Sequence, residues 1–289
     1  MLAVAGAIPW PELPVVEGLA TLDGPRLLID ARPVAAVARG TAALLAAAVS
    51  ASQALGGPPV MAHLVGDIGA GQGSRALYAH LARILPERQY AALVFHYLQP
   101  DVDWHGRVLL AVEQMRPRPL LIADAGFMYA AKMGGMAPSY DLFTPDAGEL
   151  AFLADEAAPH PFYTRGFILH EEAQAPALIA RAHAHGNAAR HLLVKGRKDY
   201  LASGPEAIEA LPGPDCPVLE CVGGTGDTLT GLAAALLAAG QPMARAARLA
   251  ALTNRLAGQL ANPTPASQIG EIIARIPAAL ALALRQIPA

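Results

Sequence analysis

The sequence predicts an α/β protein whose mostly parallel central sheet is covered by helices on both faces. Short β-like segments alternate with segments of helical periodicity along most of the chain. The β-like segments are apolar throughout, as expected for strands buried on both sides. Glycine, aspartate or lysine residues follow several of them, and ligands bind at such strand ends in this class of fold. These three observations together predict one site at the carboxyl edge of the sheet.

Each element follows from its local pattern. Strands are predicted over 58–67, 91–98, 119–126 and 191–196, and helices over 75–85, 105–115 and near 170–185. Residues 140–156 form a further segment, and beyond residue 225 the pattern is almost entirely helical, with breaks at 240–242 and 262–265. Residues 1–57 are the least readable part: an edge strand is predicted over 27–33 and an alanine-rich helix over 34–55. No repeat or linker divides the chain, so a single domain over 1–289 is predicted.

Composition and charge narrow the classes of function. The chain is 54% hydrophobic and 16% charged, with a net charge of −3, which argues against nucleic acid or anionic membrane as a partner. Its longest apolar stretches are too short to span a bilayer, and the N-terminus lacks the basic segment of a signal peptide. Two nearby cysteines, Cys216 and Cys221, are expected to be free thiols. We therefore predict a cytoplasmic protein. Its alanine- and glycine-rich helices allow a homo-oligomer without requiring one.

The most informative segment is CVGGTGDTLTG at 221–231, where Asp227 lies among glycines before an apolar helix. The N–H groups at a helix N-terminus favour anions, so an acidic residue there needs a reason. One reason is chemical, a carboxylate placed beside an anion-binding loop. The other is structural, because aspartate is a good helix cap.

Other motifs are less specific. The loop GDIGAGQGS (66–74) lacks the spacing of a dinucleotide fingerprint and the Lys-Ser/Thr pair of a P-loop. The nine histidines have no metal-binding spacing. Asp101, Asp103 and His105 are interpreted as part of a solvated loop rather than a metal site.

Five motifs together resemble the ribokinase-like superfamily, in particular its vitamin kinases and NAD(P)H-hydrate dehydratases. They occur in the family's order over about residues 60–285 and read VGDIGAGQGSRALYAHL, LLIADAGFMYAAKMGG, DLFTPDAGELAFL, HLLVKGR and GGTGDTLTGLAAALLAAG. The later helix AALTNRLAGQLA is similar to the one that flanks the adenine in this family. The resemblance implies a three-layer α/β/α ribokinase-like fold, a small-molecule substrate, and ATP or ADP with Mg²⁺ as cofactors.

The resemblance also implies roles for individual residues. Asp227 would be the general base that takes a proton from a substrate hydroxyl, and Gly224, Thr225 and Gly226 would form the anion hole. Asp146 and Glu149 would organise Mg²⁺ through water. The expected nucleotide-binding residues are Lys195, Gly196, Asn254 and Gly258. The expected substrate-site residues are Asp67, Gly69, Gly71, Asp124 and Lys132.

The activity is divided between two interpretations. The 66–74 and 124–135 loops resemble the kinases, which favours ATP-dependent phosphoryl transfer to a small-molecule hydroxyl. The C-terminal third looks more like the dehydratases, although those enzymes carry His-Pro-Gly-Glu where this chain has Asp146-Ala-Gly-Glu149. An ATP- or ADP-dependent NAD(P)H-hydrate dehydratase is therefore the alternative. A nucleotide-binding protein without turnover is a second alternative, but the base and the anion hole are both retained.

Overall fold

A computed structural model of the protein describes residues 1–158 and 174–288. The strands are β1 (Leu2–Ile8), β2 (Val16–Asp23), β3 (Arg26–Ile29), β4 (Arg32–Ala36), β5 (Val60–Gly66), β6 (Ala92–His96), β7 (Leu120–Asp124), β8 (Leu142–Phe143), β9 (His191–Val194), β10 (Asp199–Ala202) and β11 (Ile208–Leu211). The helices are α1 (Thr41–Leu55), α2 (Gln72–Ile84), α3 (Val102–Gln114), α4 (Gly126–Met133), α5 (Ala147–Ala154), α6 (Ala175–Ala184), α7 (Thr225–Ala238), α8 (Met243–Ala261), α9 (Ile269–Ile273) and α10 (Ile276–Gln286).

All of these strands belong to one sheet, in the order β11-β10-β9-β8-β7-β6-β1-β5-β2-β3-β4. Its centre, from β9 through β1 to β5, is parallel. An antiparallel hairpin, β10–β11, extends one edge, and the antiparallel strands β2, β3 and β4 extend the other. Because the carboxyl ends of parallel strands meet at one edge, the residues that follow β5 to β9 lie on the same side of the molecule.

Two apolar clusters cover the two faces of the sheet. Alternate residues of β1 show the division: Leu2 and Val4 belong to the cluster with α1, α7, α8 and α10, whereas Ala3 and Ala5 belong to the cluster with α2 to α6. This alternation is what the two-residue period of a strand produces. The α/β/α layering predicted from the sequence is confirmed.

Small residues let two buried helices approach closely. Helices α1 and α7 lie against each other, and a Cβ atom added at Gly231 would collide with the backbone carbonyl of Leu44. The long alanine runs of these helices therefore form a packing surface between backbones. In the described ranges, every helix is too short or too polar to cross a membrane.

The N-terminal part differs from the sequence prediction. Residues 2–8 form β1, a fully buried strand between β5 and β6, although no strand was predicted there. The helix predicted over 34–55 begins only at Thr41, because residues 32–36 pair with β3 and Gly40 turns the chain with a φ of 67°. The helix predicted near 170–185 is described from Ala175 onward, and its first predicted residues lie outside the described ranges.

Candidate active site

A cleft of about 500 Å³ lies at the carboxyl edge of the sheet, where β6, β7 and β9 end and α7 begins. It has the size of a small-molecule site. Residues from each of these elements line it, among them Tyr97, Asp124, Lys195 and Asp227. The parallel register places His96 directly opposite Asp124 on neighbouring strands. The predicted convergence of strand-end residues is thus observed for this part of the sheet.

Asp227 does not cap its own helix. Helix α7 begins at Thr225, and its N-cap is Gly224, so Asp227 is the third residue of the helix. Its carboxylate accepts a hydrogen bond of 2.6 Å from the Gly40 backbone N–H, and Oδ1 lies 3.1 Å from His96 Nε2. Both partners belong to other elements. The carboxylate is therefore held across the cleft, which a simple helix cap would not require.

The glycines before Asp227 are needed for shape. Gly224 has a φ of 103°, in the left-handed region that glycine adopts without strain. A Cβ atom at Gly226 would lie 3.3 Å from Lys195 Cδ, so glycine lets that side chain pass close to the loop. The first N–H groups of a helix have no partner within it, and they carry partial positive charge. The start of α7 can therefore receive an anion beside the Asp227 carboxylate.

His96 is a fully buried residue that sequence analysis did not identify. Its Nδ1 lies 3.0 Å from Thr41 Oγ1, while its Nε2 faces Asp227. Thr41 can lie this close because its neighbour on β1 is Gly6, which has no side chain. A Cβ atom at Gly6 would be only 2.6 Å from Thr41 Cγ2 and would collide with it. A chain of contacts thus fixes the position of the Asp227 carboxylate.

Electrostatics keep Asp227 ionised. Burial by itself would raise the pKa of its carboxyl group. The hydrogen bond and charge of His96, the Lys195 ammonium and the Gly40 N–H outweigh burial, and they hold the pKa of Asp227 below its usual value. At neutral pH this carboxylate is a proton acceptor.

Lys195 and Asp124 form a buried ion pair beside this carboxylate. Lys195 Nζ lies 2.9 Å from both carboxylate oxygens of Asp124, and Thr230 Oγ1 donates to Asp124 Oδ2 at 2.6 Å. Burial lowers the pKa of Lys195, but Asp124 and Glu149 reverse that effect and raise it above its usual value. The ammonium therefore remains charged in the cleft.

Asp146 and Glu149 form a capping box at the start of α5. Each side chain accepts a hydrogen bond from the other residue's backbone N–H, at 2.8 and 2.9 Å. This uses one oxygen of each carboxylate, and the second oxygen of Glu149, Oε1, accepts a hydrogen bond of 3.1 Å from the Tyr129 hydroxyl. Burial, followed by the charge of Asp146, raises the pKa of Glu149 to about 8. These two residues therefore both cap α5 and concentrate negative charge, which is electrostatically unfavourable.

Two residues at the cleft have strained backbone. Tyr97 follows β6 with a φ of 53°, and Ala125 follows β7 with a φ of 52°. Such conformations cost non-glycine residues roughly 1–3 kcal/mol and cluster at functional sites. The Tyr97 ring is half exposed and packs edge-on against His96, with centroids 4.4 Å apart. The Tyr97 ring therefore forms an aromatic side of the cleft that Asp227 also lines.

Three of the four expected nucleotide-binding residues, Lys195, Gly196 and Asn254, line the cleft, and so does Arg255. Asn254 hydrogen-bonds to Thr225 O and Thr228 Oγ1, so it also braces the first turn of α7. Arg255 donates to Gly196 O and to Asp199, which fixes the turn after β9. Gly258 lies against Leu219, where a Cβ atom would collide with the leucine side chain, and it does not line the cleft.

The expected substrate-site residues Asp67 and Lys132 are engaged elsewhere. The Asp67 carboxylate accepts hydrogen bonds from the N–H groups of Gly69, Gly71 and Ser74 and from Ser74 Oγ, which stabilises its own loop. Asp67 lines a separate, shallower depression. Lys132 Nζ donates to the backbone carbonyls of Phe152, Asp155 and Ala158 at the end of α5. It closes that helix and does not extend over the cleft as a phosphate-binding lysine would.

Sequence reasoning missed His96, Gly40, Thr41, Tyr97, Thr230 and Arg255. The position of His96 at the end of a buried strand, level with Asp124, was the one signal that could have found it. Gly40 and Thr41 could not be placed, because the sequence pattern predicts helix for the segment before α1. Thr230 was hidden within an apolar helix, where its hydroxyl reaches Asp124.

The fold is ribokinase-like. The ADP complex of pyridoxal kinase from Bacillus subtilis matches with a TM-score of 0.53 and 17% sequence identity, covering 87% of this chain and 89% of that chain. Phosphofructokinase-2 from Escherichia coli, solved with fructose-6-phosphate, matches with a TM-score of 0.55 and 15% identity, covering 97% and 100%. At this level of identity the likeness concerns the fold alone.

The family follows from the sequence comparisons. The profile of the family described as NAD(P)H-hydrate dehydratase matches residues 101–275, more than half of the chain. The chain belongs to this family. An uncharacterised protein of Methanocaldococcus jannaschii is 39% identical over 216 residues, covering 74% of this chain and 88% of the relative.

Two relatives have named activities. The bifunctional NAD(P)H-hydrate repair enzyme of Pyrobaculum aerophilum is 27% identical over 90% of this chain and 45% of its own length. The ADP-dependent (S)-NAD(P)H-hydrate dehydratase of Cenarchaeum symbiosum is 33% identical over 48% of this chain and 43% of its own length. The matches thus span less than half the length of these two relatives.

Proposed function

We propose that this protein is a nucleotide-dependent NAD(P)H-hydrate dehydratase. The family membership and the two relatives with named activities support this choice over the kinase interpretation, which has support from the fold only. The observation that carries the proposal is the pairing of the ionised Asp227 carboxylate with the N-terminus of α7. A carboxylate base beside an anion hole is what phosphoryl transfer to a hydroxyl needs.

In the first step, the hydroxyl of the hydrated nicotinamide ring attacks the terminal phosphorus of ATP or ADP. Asp227 accepts the hydroxyl proton as the new P–O bond forms and the bond to the rest of the nucleotide breaks. The N–H groups of Thr225 and Gly226 stabilise the charge on the transferred group. His96 acts as a positioning residue, because its Nε2 lies within hydrogen-bond distance of the Asp227 carboxylate.

In the second step, the phosphate ester breaks down by elimination of phosphate. The electron pair of the ring nitrogen assists cleavage of the C–O bond, phosphate leaves, and a proton is lost from the neighbouring ring carbon to restore the double bond. The hydroxyl oxygen leaves as part of the phosphate, and one proton has left from the hydroxyl and one from the ring carbon. Over the two steps the substrate therefore loses one water. A kinase would stop after the first step, so the two interpretations share Asp227 and the anion hole and differ in the fate of the phosphate ester.

A divalent cation fits the charge of the cleft. Its described lining contains seven carboxylates and three basic side chains, which by themselves would repel a polyphosphate. Asp146 and Glu149 offer oxygen donors of the type that Mg²⁺ prefers. Burial first, and then the charge of Asp146, raises the pKa of Glu149, and a cation would offset that charge. Bound with the nucleotide, Mg²⁺ would neutralise phosphate charge.

Two residues of the loops that favoured a kinase, Asp67 and Lys132, do not line the cleft. The Asp67 loop is occupied with its own backbone N–H groups, and Lys132 is bound to the end of α5. Tyr97, half exposed in the cleft that Asp227 also lines, provides an aromatic surface against which the face of a substrate ring can pack. We therefore place the nicotinamide ring of the substrate against Tyr97.

The deciding experiment follows the reduced-nicotinamide absorbance band during incubation of hydrated NADH with the protein, Mg²⁺ and either ATP or ADP. We expect the band to recover with one of the two nucleotides, accompanied by release of one phosphate per ring restored. Dependence on one nucleotide would also identify the phosphoryl donor.

Two results would contradict the proposal. Folded protein that restores no absorbance, but transfers phosphate to a pyrimidine, pyridoxine, thiazole or sugar alcohol, would establish the kinase interpretation. Folded protein that binds nucleotide and turns over none of these substrates would establish binding without catalysis.

A further inference from the structure

A second cluster of ionisable side chains lies between the sheet and α2, away from the cleft lining. Glu17 on β2 is paired in register with His63 on β5, and His80 reaches them from α2. Within the described residues, one ligand atom from each side chain lies within 4.8 Å of the other two. These three residues form the Glu17 cluster. They are the donor types, two imidazoles and one carboxylate, that bind zinc and related ions.

His63 supplies an independent indication of a ligand. It is fully buried, yet its Nδ1 has no hydrogen-bond partner, which is rare for a buried polar atom. That atom faces Glu17 Oε2 at 3.7 Å. The other ring nitrogen, Nε2, lies 3.0 Å from Tyr90 Oη. When Nε2–H donates to Tyr90, the Nδ1 lone pair points toward Glu17 and His80. Metal-binding histidines are fixed in this way by a hydrogen bond from their second nitrogen.

The distances match a small tetrahedral ion. Ligand atoms about 2.0–2.1 Å from zinc are about 3.3 Å from one another in tetrahedral geometry. Here His80 Nε2 lies 3.1 Å from Glu17 Oε2, and His63 Nδ1 lies 3.7 Å from the same oxygen.

We infer that the Glu17 cluster is a binding site for a divalent transition-metal ion, with Zn²⁺ as the probe and water in the fourth position. Arg88 pairs with the other carboxylate oxygen, Glu17 Oε1, so Oε2 stays available for the ion. The His80 and Glu17 side chains are about one-fifth exposed, which leaves a path from solvent. Because the ligands come from β2, β5 and α2, the ion would fasten the antiparallel edge of the sheet to a helix that covers one of its faces.

The test is calorimetric titration of untagged, EDTA-treated protein with Zn²⁺, together with melting curves. We expect a site of one equivalent and a melting temperature raised by about 5 °C when free Zn²⁺ is a hundred times Kd. His80→Ala, on the exposed side of the cluster, should weaken that site at least tenfold. Tyr90→Phe, which removes only the partner of His63 Nε2, should weaken it by about tenfold. With Co²⁺, the wild-type protein should show the intense visible bands of a tetrahedral complex.

His185→Ala is the matched control, since His185 is also part-exposed and paired with a carboxylate, Glu156, far from the cluster in the sequence. It should bind Zn²⁺ as the wild-type protein does. Glu17→Gln serves as a second variant if His80→Ala does not fold. The inference is overturned if the wild-type protein binds no Zn²⁺, or if one equivalent remains bound with unchanged affinity in His80→Ala or, where that variant does not fold, in Glu17→Gln.

Discussion

At the scale of single residues, partners from distant parts of the chain fix the position of the Asp227 carboxylate and keep it ionised. Its carboxylate meets Gly40, which is 187 positions away in sequence, and His96, which is 131 positions away. Each contact favours the ionised form, and together they offset the penalty of burial. The same carboxylate lies in the first turn of α7, where the helix dipole also favours negative charge.

Replacement of this carboxylate tests its role. Asp227→Asn keeps the shape of the side chain but removes the proton acceptor, so we expect turnover to fall by about 10³-fold. Nucleotide affinity should change little, because the α7 N–H groups remain. Initial rates and equilibrium binding measure the two effects separately.

Asp103→Asn is the corresponding control, since Asp103 is an exposed aspartate of α3 paired with Arg107. It should retain full turnover. Turnover near the wild-type rate in Asp227→Asn would show that another group accepts the proton.

At the scale of elements, backbone proximity between α1 and α7 positions the site. Both helices are nearly all buried, and alanine and glycine allow their backbones to approach. Because α1 begins at Thr41 and α7 begins at Thr225, their packing brings the Thr41–His96 pair to Asp227. A change in the spacing of the two helices would therefore act on both stability and the site.

Gly231→Ala tests this packing. The added methyl group would collide with the Leu44 carbonyl, so we expect a loss of about 1–3 kcal/mol in the free energy of unfolding. Denaturant unfolding measures it.

Gly106→Ala provides the matched comparison in another helix, α3, where a Cβ atom meets no other atom within 4 Å. There the substitution should stabilise the protein by roughly 0.5–1 kcal/mol, since alanine is the better helix former. Equal effects of the two substitutions would show that close contact between α1 and α7 is unimportant.

At the scale of the whole molecule, a buried histidine should make stability depend on pH. His105 is fully buried against Phe127, its Nε2 lies 2.9 Å from Tyr140 Oη, and burial lowers its pKa to about 4. The unfolded chain takes up a proton near pH 6.5, whereas the folded chain does so only near pH 4. The stabilising contribution of neutral His105 is therefore full above pH 6.5 and is lost as pH falls toward 4.

His105→Phe removes this titration. The wild-type protein, in EDTA, should lose stability between pH 7 and pH 4, and the variant should lose up to about 3 kcal/mol less over the same range. Urea unfolding at several pH values measures the difference, which does not depend on the variant's absolute stability. Parallel pH profiles for the two proteins would contradict the assignment.

The sequence by itself determined the α/β class, the three layers and most elements after residue 57. These properties rest on local periodicity, apolar runs and glycine turns, which neighbouring residues specify directly. It also singled out the GGTGD loop as the place for chemistry. The N-terminal segment was harder, because an alanine-rich run such as LAVAGAI reads equally well as helix or strand until its neighbours are known.

Only the tertiary structure decided which side chains meet. Strand order and crossover connections determine the His96–Asp227 pair, the Lys195–Asp124 pair and the Glu17 cluster. They also place Lys132 against the end of α5 instead of at the expected substrate site. Contacts between residues far apart in the chain, such as the 131 positions between His96 and Asp227, leave no trace in the local periodicity of the sequence. Burial, which lowers the pKa of His63, and the partners that hold the pKa of Asp227 low in spite of burial are likewise properties of the packed molecule.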